Sequence, residues 1–235
     1  MSNTPDRRSW SRRQWLQWAG GAGSAAVAMW QTPALAQGAV PPPVPKALTP
    51  EAALELLAKG NQRFVEGKTL APNRNMARLK EVAAKQFPFA AFLGCADSRV
   101  PIEIVFDQGF GDVFVTRIAG NVADPAIIGS LEFGCLVLGA KVLYVLGHSS
   151  CGAVGATLKG DAVPGQISTL YQHIRPAVKL AQGDLAAAIR ENVKQQASVL
   201  AEASPVIAGL LKERKLIVSG GVYDLQSGRV SPVAL

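Results

Sequence analysis

Four short stretches of this chain are apolar with little or no alternation: residues 87–94, 113–118, 142–147 and 216–219. A strand with one face in water alternates apolar and polar side chains. Runs apolar on both faces therefore predict central strands of a parallel sheet covered on each side. The segments between them carry helical spacing, which puts the chain in the α/β class. A helix is expected over Thr49–Glu66, with Thr49 as its cap, Pro50 at its first position and Gly67 at its end. A second is expected within 73–85, with Arg78, Lys80 and Lys85 on a wet face. Asp124–Leu138 repeats Ile127, Leu131, Cys135 and Leu138 on one side, and 166–212 reads as helical with breaks near Gly183 and Pro205. The end of the chain reads as a hairpin turning at Ser227-Gly228.

The first 36 residues read differently. Arg7, Arg8, Arg12 and Arg13 form a basic head that includes the twin-arginine pattern Ser11-Arg12-Arg13-Gln14-Trp15-Leu16. A Gly- and Ala-rich run follows, too short to span a bilayer. Ala34-Leu35-Ala36 then offers a cleavage site. The expectation is export to the periplasm by the twin-arginine machinery, with cleavage near Ala36. Four arginines and one aspartate leave with this segment, which lowers the net charge from +7 to +4. Residues 37–49 are proline-rich and read as a tether, and 50–235 as the folded domain. The remaining basic residues are scattered, which argues against nucleic acid as a partner. No later apolar run is long enough to cross a membrane. Three cysteines in 235 residues exclude a disulfide scaffold.

The chemistry gathers at two strand ends. Cys95-Ala96-Asp97-Ser98-Arg99 follows the first apolar run, and His148-Ser149-Ser150-Cys151-Gly152 follows the third. In open parallel sheets, ligand sites lie at this edge, where strand order reverses. If the two strands are neighbours, Cys95, His148 and Cys151 converge. Two thiolates and an imidazole suit zinc and leave a fourth tetrahedral position. Cys151 would also sit near a helix N-terminus, where a thiolate is favoured. Asp97 has two options: a bidentate pair with Arg99, or the fourth zinc position. A lone cysteine in an apolar run is usually a small core residue, and that is the reading for Cys135. His173 has no partner at motif spacing and is read as core or surface.

At these two stretches the chain resembles the β-class carbonic anhydrases, through Cys-x-Asp-x-Arg followed by His-x-x-Cys-Gly. Val100-Pro101, Gly111–Arg117, Ala119-Gly120-Asn121, Ser130–Phe133, Leu146-Gly147-His148 and Val222-Tyr223-Asp224 support the match. The resemblance implies a sheet with four parallel central strands plus an edge strand, flanked by helices, and a homodimer or dimer of dimers. It implies one zinc per subunit, held by Cys95, His148 and Cys151, with Asp97 pairing with Arg99 or becoming a ligand. It further implies reversible hydration of carbon dioxide to bicarbonate and a proton, by attack of zinc-bound hydroxide that Asp97 orients. Gln108 is a candidate donor to a substrate oxygen, and Phe92 and Val100 are candidate pocket walls. Some members carry a bicarbonate switch built on a tryptophan. Phe92 stands at that position here, although Arg117 matches the switch arginine, so the open form is expected. Two alternatives accompany this reading: hydrolysis of carbon disulfide or carbonyl sulfide on the same ligands, and a periplasmic zinc-binding protein without turnover.

Overall fold

The computed structural model describes residues 48–235. The expected export signal (1–36) and most of the tether lie outside the described residues. Thr49 starts the first helix, α1 (Pro50–Val65), by accepting a hydrogen bond from the Ala52 amide at 3.2 Å. Ala53, Leu57, Gly60 and Asn61 form its buried face. Helix α2 (Met76–Val82) follows, and then β1 (Ala90–Gly94), α3 (Ile102–Val105) and β2 (Val113–Arg117). Helix α4 (Pro125–Glu132) leads to β3 (Val142–His148) and α5 (Gly152–Lys159). Three helices come next, α6 (Ser168–Leu180), α7 (Leu185–Ala203) and α8 (Pro205–Lys212). The chain closes with β4 (Ile217–Tyr223) and β5 (Val230–Pro232).

The five strands form one sheet in the order β2-β1-β3-β4-β5. The first four are parallel, and β5 runs antiparallel to β4. All residues of β1 and β3 are buried, as their unbroken apolar runs require. One face packs Phe92, Phe106, Tyr144 and Leu146 under Leu57 of α1. The other packs Leu93, Leu143 and Val145 against Leu131, Val193, Leu200 and Ile207. Among the described residues, no helix is long and apolar enough to cross a membrane.

Three sequence expectations need correction. Arg78 is not on a wet face. Its side chain is 18% exposed and lies between Glu81 at 3.1 Å and the carboxylate of Asp112 at 3.5 Å. Asp112 is buried and gathers compensating partners, among them the Asn73 side-chain amide and the Gly109 N–H. The helix expected over 124–138 is α-helical only to Glu132 and widens into a π-helical segment at Phe133–Val137. Cys135 stays in the core, while Phe133, Leu136 and Val137 face out. Phe92 packs with Phe106 and Tyr144, at centroid separations of 5.0 and 5.5 Å. It belongs to the cluster under α1, whereas Cys95 packs in another. Side chains alternate faces along a strand, so a residue three before Cys95 points the other way.

Candidate metal centre

The chain passes from β1 to β2 on one side of the sheet, then crosses to β3 on the other. Strand order therefore reverses between β1 and β3, and their C-terminal ends flank a crevice. Cys95 follows β1, His148 is the last residue of β3, and Cys151 caps α5. Their ligand atoms lie within 4.8 Å of one another, and all three residues are buried.

The imidazole is oriented by its own loop. His148 Nδ1 lies 2.9 Å from the Ser149 carbonyl oxygen. A carbonyl only accepts, so Nδ1 carries the proton and Nε2 presents a lone pair. That Nε2 is buried and has no hydrogen-bond partner. A buried polar atom without a partner is costly, and here it faces two sulfurs. The neighbouring Cys151 thiol holds Cys95 below the ordinary thiol range. Proximity to Cys95, with burial, raises Cys151. A divalent cation relieves both conflicts, since it accepts the Nε2 lone pair and two thiolates. The donor set thus fits a metal of the zinc type.

Asp97 adopts the first of its two options. Its Oδ1 accepts from Arg99 Nε at 2.9 Å and its Oδ2 from an Arg99 terminal nitrogen at 2.8 Å. The Arg99 backbone N–H adds a third bond at 2.9 Å. The guanidinium bond is the main reason the Asp97 carboxyl sits well below the usual carboxylate range. Asp97 Oδ2 is 3.9 Å from His148 Nε2, beside the three ligand atoms and outside their cluster.

Gln108 is not brought to these residues. Its Nε2 donates to the Phe106 carbonyl at 2.8 Å, and among the described residues it makes no hydrogen bond to Cys95, Asp97, Arg99, His148 or Cys151. Val100 is fully buried in the α1-side cluster with Phe92. Cys135 lies in the core and burial pushes its thiol up to about 12. His173 is half-buried on α6 and its ring meets only the Gln172 side chain.

Several supporting residues escaped the sequence reading of the site. Arg117, at the end of β2, donates from Nε to the Cys95 carbonyl at 2.8 Å and from a terminal nitrogen to the Asp97 carbonyl. Ser149 ties the His148 loop to β4, through its N–H to Tyr223 and its hydroxyl oxygen from the Leu225 N–H. The Gly120 N–H donates to Cys95 Sγ at 3.3 Å. A hydroxyl or guanidinium with a structural partner leaves no trace in spacing, so only the three-dimensional arrangement reveals these roles.

A parallel sheet with two thiols and an imidazole at its switch point defines a metalloenzyme fold of the β-carbonic anhydrase class. Among solved structures, the Coccomyxa β-carbonic anhydrase in complex with acetazolamide is 26% identical, with a TM-score of 0.61 over 77% of this chain and 86% of that one. The β-carbonic anhydrase CafA of Aspergillus fumigatus is 29% identical, with a TM-score of 0.60 over 77% and 89%. Carbonic anhydrase 2 of Mycobacterium tuberculosis is 38% identical over 77% of this chain and 91% of the relative. The sequence model of the carbonic anhydrase family matches residues 90–230. The chain belongs to the carbonic anhydrase family and is an enzyme of that class.

Proposed function

We propose that this enzyme hydrates carbon dioxide reversibly, with one zinc ion held by Cys95, His148 and Cys151. When bound there, zinc supplies the Lewis acidity that brings water toward a pKa of about 7. The chain's own residues supply orientation. Asp97 is kept ionised by Arg99, so it acts only as an acceptor and fixes the direction of the attacking solvent oxygen. Arg117 holds the backbone on which Asp97 stands. Val122 and Val154 pack with Cys95 and Cys151, and this apolar surround suits a small neutral substrate.

One observation carries the reading. A buried, partnerless imidazole nitrogen meets two sulfurs beside a carboxylate that an arginine has already fixed. Metal storage needs the first three groups and has no use for the fourth.

The reading extends to export and assembly. The twin-arginine leader supports a periplasmic enzyme exported by that machinery. The adjacent Phe133, Leu136 and Val137, which are 47%, 56% and 63% exposed, support a homo-oligomer.

Stopped-flow carbon dioxide hydration, with zinc measured on the same sample, tests the activity. The expected result is about one zinc per chain and rapid hydration. Asp97→Asn should keep its zinc and lose roughly 10²-fold or more in rate, the usual scale for a positioned acid–base group. Zinc-loaded wild type without hydration would leave a binding protein. Turnover of carbon disulfide or carbonyl sulfide alone would reassign the substrate.

A further inference from the structure

Helix α7 buries a row of side chains one turn apart: Ala188, Asn192, Gln196 and Leu200. Two of the four are amides, each only 1% exposed. Buried amides are tolerated when their hydrogen bonds are made, and here the bonds lead to one place. Asn192 Nδ2 donates to the Gly120 carbonyl at 2.9 Å. Gln196 Oε1 accepts from the Ala123 N–H at 2.8 Å. Gln196 Nε2 donates to Asn192 Oδ1 and to the His173 carbonyl, both at 3.1 Å. The pair therefore grips both ends of the segment 120–123 and braces it against α6.

That segment carries a backbone N–H that bonds a ligand sulfur, Gly120 to Cys95 at 3.3 Å. Gly120 has a φ of +75°, and a Cβ there would come within 2.7 Å of Ile174 Cδ1 and 3.2 Å of Ala153 Cβ. The glycine is thus fitted from three sides, by α5, α6 and α7. An N–H pointed at a thiolate draws electron density from the sulfur, and its effect depends on distance and aim.

We infer that Asn192 and Gln196 are positioning residues for the metal centre. They set the Gly120 N–H against Cys95 Sγ and so govern how firmly that sulfur holds metal. The inference rests on the proposed zinc site and goes beyond its ligands. Neither residue touches a ligand atom, and their influence runs through the backbone of the 120–123 loop.

The test uses full-length protein with zinc and with cobalt(II). Zinc affinity is read by chelator competition, and the sulfur-to-cobalt charge-transfer band by absorption. For Asn192→Ala the expected zinc affinity is lower by about 10- to 100-fold, the range for lost outer partners of metal ligands, because loss of placement of Cys95 Sγ outweighs the gain in donor strength. The band should move to lower energy, since a sulfur released from its N–H is more electron-rich. Gln196→Ala should shift both in the same direction by less, and it decides the matter alone if Asn192→Ala does not fold. Asn61→Ala serves as the control for mere loss of stability. Asn61 is also buried, but it bonds Val105, Gly228 and Val230 on α1's side of the sheet. Its band and affinity should match wild type. Wild type that takes up neither metal would sink the metal site itself. Wild type that binds, with α7 variants matching it in both readouts, would overturn the inference. So would an equal shift in Asn61→Ala.

Discussion

Cys135 and Cys95 are both buried thiols, and their surroundings push them in opposite directions. Cys135 meets only apolar groups, and burial alone raises it to about 12. Cys95 lies beside the Cys151 thiol and accepts from the Gly120 N–H, and both hold it below the ordinary thiol range. Cys151 is raised as Cys135 is, so convergence with His148, and not the direction of the shift, marks the thiols that can hold metal. The burial of Cys135 also has a consequence for stability. The folded chain holds the Cys135 proton more tightly than the unfolded chain, whose thiol titrates near 9.0. Stability from this group is complete below that value and is lost as pH rises toward about 12. Burial raises the Tyr144 hydroxyl in the same sense. Thermal unfolding followed from pH 7 to 11 should therefore show Tm falling above about pH 9. Cys135→Ala should lose about 1 kcal/mol at pH 7 from the small void and show a shallower alkaline fall. A fall as steep as that of wild type would assign the whole effect to other groups.

At the scale of elements, Asn61 joins three parts of the fold. Its Nδ2 donates to Val105 of α3 at 3.1 Å and to Gly228 of the final turn at 2.9 Å, and its Oδ1 accepts from Val230 of β5 at 2.9 Å. Asn61→Ala would strand these backbone groups and should cost about 2–3 kcal/mol in urea unfolding, with zinc content unchanged. A loss below half a kcal/mol would mean water replaces the side chain. This residue also marks what sequence patterning can carry. β1 and β3 were legible because burial on both faces writes itself as unbroken apolar runs, whereas β2, equally apolar in sequence and read as central, is a half-buried edge strand. The convergence of Cys95, His148 and Cys151 was legible because each stands at a strand end or helix start, where chemistry has fixed addresses. Asn61, Asn192 and Gln196 were not, since a polar residue at a buried helical position looks like one on a wet face until its partner is known. The π-helical widening at Phe133–Val137 escaped for a related reason: the α-helical period continues through Cys135 and gives no sign that the backbone widens there. Gln108, read from its family position, folds its amide onto the Phe106 carbonyl of its own chain.

For the whole molecule, the metal centre and the route of export constrain each other. Cys95 and Cys151 are free thiols whose sulfurs lie in a cluster no wider than 4.8 Å. In an oxidising compartment, two adjacent thiols without metal are open to disulfide formation. Cys135 offers no alternative partner, because it is enclosed in a separate core cluster from Cys95 and Cys151. A chain that crosses the membrane folded can carry its metal with it, and bound thiolates are shielded from exchange. A chain that crosses unfolded presents Cys95 and Cys151 to the oxidant before His148 is in place to complete the site. On the proposed reading, the twin-arginine pattern at Arg12-Arg13 selects the first kind of route, which delivers folded cargo. Replacing residues 1–36 with a leader that exports unfolded chain should therefore lower zinc per chain in the periplasmic fraction. It should also yield a Cys95–Cys151 disulfide visible by mass spectrometry of non-reduced peptides, while the native leader yields about one zinc per chain and free thiols. Equal zinc occupancy by both routes would show that the site closes around metal faster than its thiols oxidise, and would leave the choice of leader unexplained by the chemistry of the centre.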